Sequence, residues 1–287
     1  MESKGSIRKR VEDANFNIEH GNYETALALL LIAIDGSARK MYPKGTKSIK
    51  NPRNDMGNKE RYTRFLGVRL REIFGMAMHD RDYYQGELPK LVNGVESPED
   101  KIYTGFRCNE LHESGLPEEL RYAYEPNSIN NTLSLDFIDG EVHFSSGFLR
   151  LLEIVITGAP CNGTEFGINH FRLIPNDGSD ALDYMKQIGM NNGVTLGRIN
   201  IMMELIQFAG PHACHMGDED LAKTLTHMLD SKMVSGARTG LCSPGWLEPG
   251  SAEAMGPLCD WEGGINSNGV KIARKIMDST HFVDFHC

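Results

Sequence analysis

Hydrophobic residues recur along residues 7–41 with the spacing of an α-helix. The central stretch, 23–34, is apolar on almost every side, a pattern typical of a helix that is buried all round. His20-Gly21-Asn22 interrupts the pattern with residues that favour a turn. We therefore predict two antiparallel helices, at about 7–19 and 23–41.

Two further helices are expected after a loop at 43–58 that is rich in Pro, Gly, Asn and Lys. The third covers about 60–74, where an apolar stripe would face inward and the arginines outward. Ser97-Pro98-Glu99-Asp100 is a typical helix start, with a capping residue, a proline in the first turn and two early acids. The fourth helix would run from there to about 113.

A β-hairpin is predicted next, because apolar and polar residues alternate over 132–138 and a second strand-like stretch follows at 141–144. Asp139-Gly140 lies between the two stretches, and this dipeptide is a strong signal for a hairpin turn. A fifth helix, 146–156, would close this first domain, which we predict to cover 7–158.

The remaining region, 159–287, differs in composition, with many Gly, Met and Cys residues. Its helical stretches lie near 179–189, 195–209, 217–234 and 269–278, and the Met-rich run at 199–208 is predicted to be core. We therefore expect a mainly α protein: a helical bundle with a β-hairpin, followed by a second, mixed or mostly helical domain of unassigned function.

Composition limits the classes of function. The 287 residues carry a net charge of −9, and the longest apolar run, 26–34, is far shorter than the roughly 20 residues that cross a bilayer. The N-terminus has no apolar stretch typical of a secretory signal, and the six cysteines have no paired spacing, so we expect a cytoplasmic protein with reduced thiols and no membrane contact.

Residues 39–71 nevertheless hold eleven basic and two acidic residues, a local balance of +9 that suits either a solvated face or a surface for a polyanion.

Candidate chemistry lies at the end of the predicted fourth helix, where Arg107 precedes His112 by five positions. An imidazole can move protons near neutral pH, and a guanidinium can bind two phosphate oxygens. On a straight α-helix the two side chains would point about 140° apart, so either the helix end bends or a second protomer completes the site. Asn109, three positions before His112, is well placed to orient its ring. The alternative is a purely structural role, in which His112 caps the helix end and Arg107 forms an ion pair with Glu110.

The order of these elements resembles the HEPN superfamily of small helical nucleases over about residues 7–158: a helical hairpin, a basic third helix, a helix that ends in Arg, four residues and His, then a hairpin and a closing helix. The resemblance implies RNA cleavage without a metal or other cofactor, usually between two protomers, in toxin or antiviral defence systems. Arg107 and His112 would be the catalytic pair, with Asn109 beside them. The family commonly has Asn, Asp or His directly after the arginine, whereas this chain has Cys108 there.

We therefore predict a homodimeric endoribonuclease whose RNA contacts include Lys59, Arg61 and Arg64 on the basic third helix. The region 159–287 would be a regulatory, sensing or partner-binding part that responds to a regulatory protein or a small-molecule activator. The alternative is an inactive HEPN-like module that binds a protein, a nucleotide or RNA. A weaker hint of zinc comes from His212-Ala213-Cys214-His215, but the spacing is unlike that of a zinc finger, and helix capping or an irregular turn explains the group better; no metal site is predicted.

Overall fold

The computed structural model describes residues 6–74, 86–88, 90, 97–107, 120–122, 134–138, 141–230, 241 and 255–285. Their contacts divide the chain into two units. The first takes in residues up to 69 and from 87 to 168, and the second takes in residues 70–86 and 169–286. Most described residues are helical, which confirms the predicted mainly α class.

Helices of the first half follow the hydrophobic pattern closely. They are α1 Ile7–Glu19, α2 Tyr23–Met41, α3 Asn58–Ile73, α4 Pro98–Ile102, α5 Ser146–Thr157 and the single turn α6 Gly163–Phe166. The Ser6 hydroxyl accepts a hydrogen bond from the Lys9 N–H and caps α1. Gly21, with a φ of 75°, makes the turn to α2. The two predicted helices are confirmed at the predicted residues, and α2 packs against both α1 and α5.

The predicted fourth helix differs from expectation. The α-helical winding ends at Ile102, and residues Tyr103–Arg107 form a π-helical turn. Residues 108–113 of the predicted helix lie outside the described part of the chain. A π turn has hydrogen bonds between residues five apart and is therefore wider than an α-helical turn.

A small sheet in the first unit contains β1 Leu120–Tyr122, β2 Leu135–Ile138 and β3 Glu141–Phe144. β2 and β3 pair antiparallel with Ile138 opposite Glu141, as expected for the predicted hairpin, whose turn residues lie outside the described ones. β1 was not predicted, and it pairs parallel with the other edge of β3.

The first unit extends ten residues beyond the predicted boundary at 158, to Ile168. Asn162 is fully buried, and its amide donates hydrogen bonds to the Ser37 Oγ at 2.8 Å and to the Ile156 carbonyl at 2.9 Å. These contacts attach the segment after α5 to the α2 helix.

The second unit contains α7 Ala181–Asn192, α8 Leu196–Ala209, α9 Asp218–Asp230 and α10 Ser267–Ser279, with the antiparallel strands β4 Phe171–Pro175 and β5 Thr280–Asp284. The four helices agree with the predicted stretches, whereas neither strand was predicted. Met202, Leu205 and Ile206 have no exposed surface, so the Met-rich run forms core as predicted. Across the described residues, no helix combines the length and the apolar character that a bilayer crossing requires.

Candidate functional site

Arg107 is the last residue of the π turn, and the turn that carries it is anchored from its start. Ile102 and Tyr103 are buried, and the turn contacts α2. The Tyr103 ring packs edge-on against the Tyr62 ring of α3 with 5.2 Å between ring centroids. Aromatic pairs at this distance and angle are favourable, so α2 and α3 together fix the backbone that leads to Arg107. The Arg107 side chain, Asn109 and His112 lie outside the described residues.

The structure brings Lys59, one of the predicted RNA contacts, beside this turn. The Lys59 Nζ lies 3.6 Å from the Asp100 Oδ1 and 5.8 Å from the centre of the Tyr103 ring. The Lys59 side chain is 55% exposed. Since an exposed ion pair of this kind is weak, the ammonium remains available to an anion that approaches the start of the π turn.

The other two predicted RNA contacts, Arg61 and Arg64, differ from Lys59 in their surroundings. The Arg61 guanidinium folds back and donates hydrogen bonds to the Met56 carbonyl at 3.0 Å and to the Asn58 Oδ1 at 3.3 Å. Arg64 is only 7% exposed, and Arg71 only 2%. The prediction that the arginines of the third helix face outward is therefore wrong for Arg64 and Arg71. The reason is that α3 is buried over most of its circumference and not along one stripe. The role of Arg64 as an RNA contact stays a prediction, made for a side chain that is buried in this structure.

Residues 43–57 between α2 and α3, hereafter the basic loop, are ordered by internal hydrogen bonds. Lys47 and Asp55 form an isolated antiparallel bridge, and their side chains form an ion pair with 2.9 Å between Nζ and Oδ1. The Glu60 Oε1 accepts hydrogen bonds from the Ile49 N–H at 2.7 Å and the Lys50 N–H at 3.2 Å. Glu60 thus ties the loop to the first turn of α3.

Sequence reasoning missed three exposed cations of the basic loop: Lys44, Lys50 and Arg53. The charge excess over 39–71 located the segment, and most of its other cations have carboxylate or carbonyl partners in the structure. The sequence signal that could have identified these three cations is that their neighbours are prolines, glycines and asparagines, with no apolar stripe nearby. Such surroundings predict an exposed loop.

The histidine and cysteine group of the second unit lies on a 3-10 turn, Pro211–His215, which follows the left-handed Gly210. His212, Cys214 and His215 are exposed and Ala213 is buried. Within the described ranges, no three His, Cys, Asp or Glu side chains come together as a metal site would require.

These features define a mainly helical protein of two units, whose first unit combines a helical hairpin, a π turn that ends in arginine and an ordered basic loop. The chain belongs to the Rv1289 family, whose profile matches residues 6–177. The match takes in the whole described first unit and β4 of the second. No curated protein and no solved structure matches the chain.

Proposed function

We propose that this protein is a metal-independent endoribonuclease of the HEPN type that acts as a homodimer in the cytoplasm. The observation that carries the proposal is the π turn Tyr103–Arg107. The hydrogen bonds of a π turn join residues five apart, so such residues lie about one turn from each other along the chain. Arg107 is the last residue of this turn and precedes His112 by the same five-residue spacing, so the proposal requires the chain after Arg107 to bring both groups to one phosphate. Short π segments also occur often at functional sites.

The reaction needs no group beyond those of the chain and its substrate. A base removes the proton of the RNA 2′-hydroxyl, the 2′-oxygen forms a bond to the adjacent phosphorus, and the bond from phosphorus to the 5′-oxygen breaks. An acid protonates the departing 5′-oxygen, which leaves a 2′,3′-cyclic phosphate and a 5′-hydroxyl. His112 of one protomer would act as base and its symmetry mate as acid, since a two-fold dimer supplies two imidazoles.

Each remaining residue has a separate role in this reaction. Arg107 binds the oxygens of the scissile phosphate as their negative charge grows, and its guanidinium stays protonated throughout. Asn109 orients the His112 ring. Lys59, beside the start of the π turn, holds a neighbouring phosphate of the RNA backbone. The HEPN resemblance suggests a toxin or defence setting, with the C-terminal region responding to a protein or a small-molecule activator.

A second function is favoured by a specific observation. Arg61 donates hydrogen bonds to the Met56 carbonyl of the basic loop and to the Asn58 Oδ1 at the start of α3, and Arg64 is buried. Two of the three predicted RNA contacts on the third helix are therefore engaged by the fold. This arrangement, together with Cys108 in place of the family's Asn, Asp or His, would suit a HEPN-like module that binds RNA or a protein without cleavage.

The test uses the purified full-length chain with end-labelled RNA in excess EDTA. We expect fragments that end in 2′,3′-cyclic phosphate, and a loss of rate of about 10²–10⁴-fold in His112→Ala, the usual contribution of a general acid or base. His20→Ala removes an exposed histidine at the end of α1 and serves as the matched control, with an unchanged rate. Cleavage by His112→Ala at the parental rate would refute the assignment. RNA binding with no cleavage of any substrate would establish the inactive module instead.

A further inference from the structure

We propose that the basic loop is a docking site for RNA phosphates, distinct from the catalytic pair. The choice of RNA as the ligand rests on the proposed function. The loop itself is characterised by described residues: its cations Lys44, Lys50 and Arg53 are exposed, and its backbone is held by hydrogen bonds.

Hydrogen bonds within the basic loop hold its backbone. The Met56 N–H donates to the Thr46 carbonyl at 2.7 Å, and the Ser48 N–H donates to the Asn54 carbonyl at 3.0 Å. The Asn51 N–H donates to the Ser48 Oγ at 3.0 Å. A loop fixed in this way presents its cations at defined positions, which lowers the entropy that binding must remove.

Charge in the loop is concentrated, and among the described residues it is largely uncompensated. The loop contains four basic residues and one acid, a balance of +3 in a chain of net charge −9. Only Lys47 is paired with that acid, Asp55. In the part of the chain that the structure describes, the ammonium and guanidinium groups of Lys44, Lys50 and Arg53 form no ion pair. Clusters of exposed cations of one sign attract polyanions.

The side chains of the loop favour RNA over a lipid surface. Binding to an interface through a peripheral segment uses apolar side chains that enter the acyl boundary. Here Met56 is buried and Ile49 is half-buried, so neither large apolar side chain of the loop is presented outward. Asn51 and Asn54, on either side of Pro52-Arg53, are exposed, and their amides are donors that can bind phosphate and sugar oxygens.

Contacts from one turn of α3 connect the loop to the candidate active site. Glu60 holds the Ile49 and Lys50 backbone, and its neighbour Lys59 contacts Asp100 and Tyr103 at the start of the π turn. RNA held by the loop would therefore lie next to the segment that carries Arg107. The loop would supply affinity, and the catalytic pair would act on the strand that the loop holds.

The test compares salt-dependent RNA binding of two charge-matched variants, both in a His112→Ala background so that the RNA stays intact. One carries Lys44→Gln, Lys50→Gln and Arg53→Gln. The control carries three equivalent changes at exposed, ion-paired cations of the first unit: Lys9→Gln, Arg39→Gln and Arg150→Gln. Fluorescence anisotropy with labelled single-stranded RNA gives Kd at each salt concentration.

Each phosphate contact contributes about 0.7 to the slope of log Kd against log salt for single strands. We therefore expect the loop variant to have a slope shallower by about 2 than its parent, and an affinity at low salt at least tenfold weaker. The control should keep the parental slope. The charge-retaining variant Lys44→Arg, Lys50→Arg and Arg53→Lys should keep the parental affinity, which separates charge from folding.

An unchanged slope and affinity in the loop variant would overturn the inference, as would binding to phosphatidylserine vesicles or to an acidic protein without binding to RNA. Failure of the proposed function leaves a different signature. RNA that binds through the loop but is never cleaved by the parent chain would refute the nuclease and retain the docking site.

Discussion

Replacement of Glu165 by glutamine tests why the first unit extends past α5. The Glu165 carboxylate accepts a hydrogen bond from the Arg8 N–H at 3.0 Å and forms an ion pair with Lys40. Arg8 is the second residue of α1, whose first turn contains no acidic residue. Glu165 therefore supplies from α6 the negative charge that stabilises a helix N-terminus.

The expected loss follows from the exposure of these groups. The side chains of Lys40 and Glu165 are 39% and 23% exposed, so the ion pair contributes at most about 1 kcal/mol. A carboxylate at a helix N-terminus adds ~0.3–1 kcal/mol. Glutamine keeps the size of the side chain and an oxygen for the Arg8 N–H, so Glu165→Gln should lower the free energy of unfolding by about 0.5–2 kcal/mol.

The effect should depend on pH. Burial raises the pKa of the Glu165 carboxyl, but the hydrogen bonds from Lys40 and Arg8 outweigh it, so the pKa lies below its usual value of 4.5. A lowered pKa means that ionised Glu165 stabilises the fold fully above pH 4.5 and that this stabilisation is lost as the pH falls through the lowered value. The difference between parent and variant should be full at pH 7 and should close on acidification below pH 4.5.

Urea unfolding followed by circular dichroism measures this difference at each pH. Glu19→Gln, at the exposed end of α1, is the control and should stay within about 0.5 kcal/mol of the parent. A Glu165→Gln variant as stable as this control at neutral pH, or a difference that persists in acid, would show that the carboxylate does not hold α1 in this way.

Three further changes test other parts of the structure. Asn162→Ala removes a fully buried amide with two hydrogen bonds and should cost about 1–3 kcal/mol in urea unfolding; an unchanged midpoint would contradict the observed network. In Gly269→Ala, the new Cβ would lie 2.5 Å from the Leu258 carbonyl oxygen, so the free energy of unfolding should fall by about 1–3 kcal/mol. The control Gly197→Ala places its Cβ in open space and should be neutral or stabilising. Equal stabilities of the two variants would refute the close packing at Gly269. Asp100→Asn frees Lys59 from its ion pair and should tighten RNA binding about 2–3-fold at low salt, and weaker binding would exclude Lys59 as a phosphate contact.

Local sequence signals account for much of the fold. The apolar period and the turn at Gly21 give the first two helices at their observed residues, and the alternating strands joined by Asp-Gly give the hairpin. β1, by contrast, has only three residues, too few for a pattern. β4 and β5 pair across more than a hundred residues of sequence, with Phe171 opposite Asp284, and no local signal reports such a pairing.

Where the sequence predictions were wrong, tertiary packing determines the position or the burial of the residues concerned. Gly158-Ala159-Pro160 has the composition of a linker, yet the bonds of Asn162 to the rest of the first unit keep the following segment within it. The period of α3 indicates an apolar stripe but not how far burial extends around the helix, which is why Arg64 was placed outside. The π turn that ends at Arg107 has no sequence signal of its own, and the pairing of Arg107 with His112 stays a prediction.

The most direct test of the central claim uses an RNA with a single 2′-deoxy nucleotide immediately 5′ of the phosphate at which the parent chain cuts. If the RNA's own 2′-hydroxyl attacks that phosphate while His112 moves the proton, cleavage at that position should disappear, and other sites on the same strand should be cut as before. Undiminished cleavage at the 2′-deoxy position would contradict the mechanism and, with it, the assignment of Arg107 and His112.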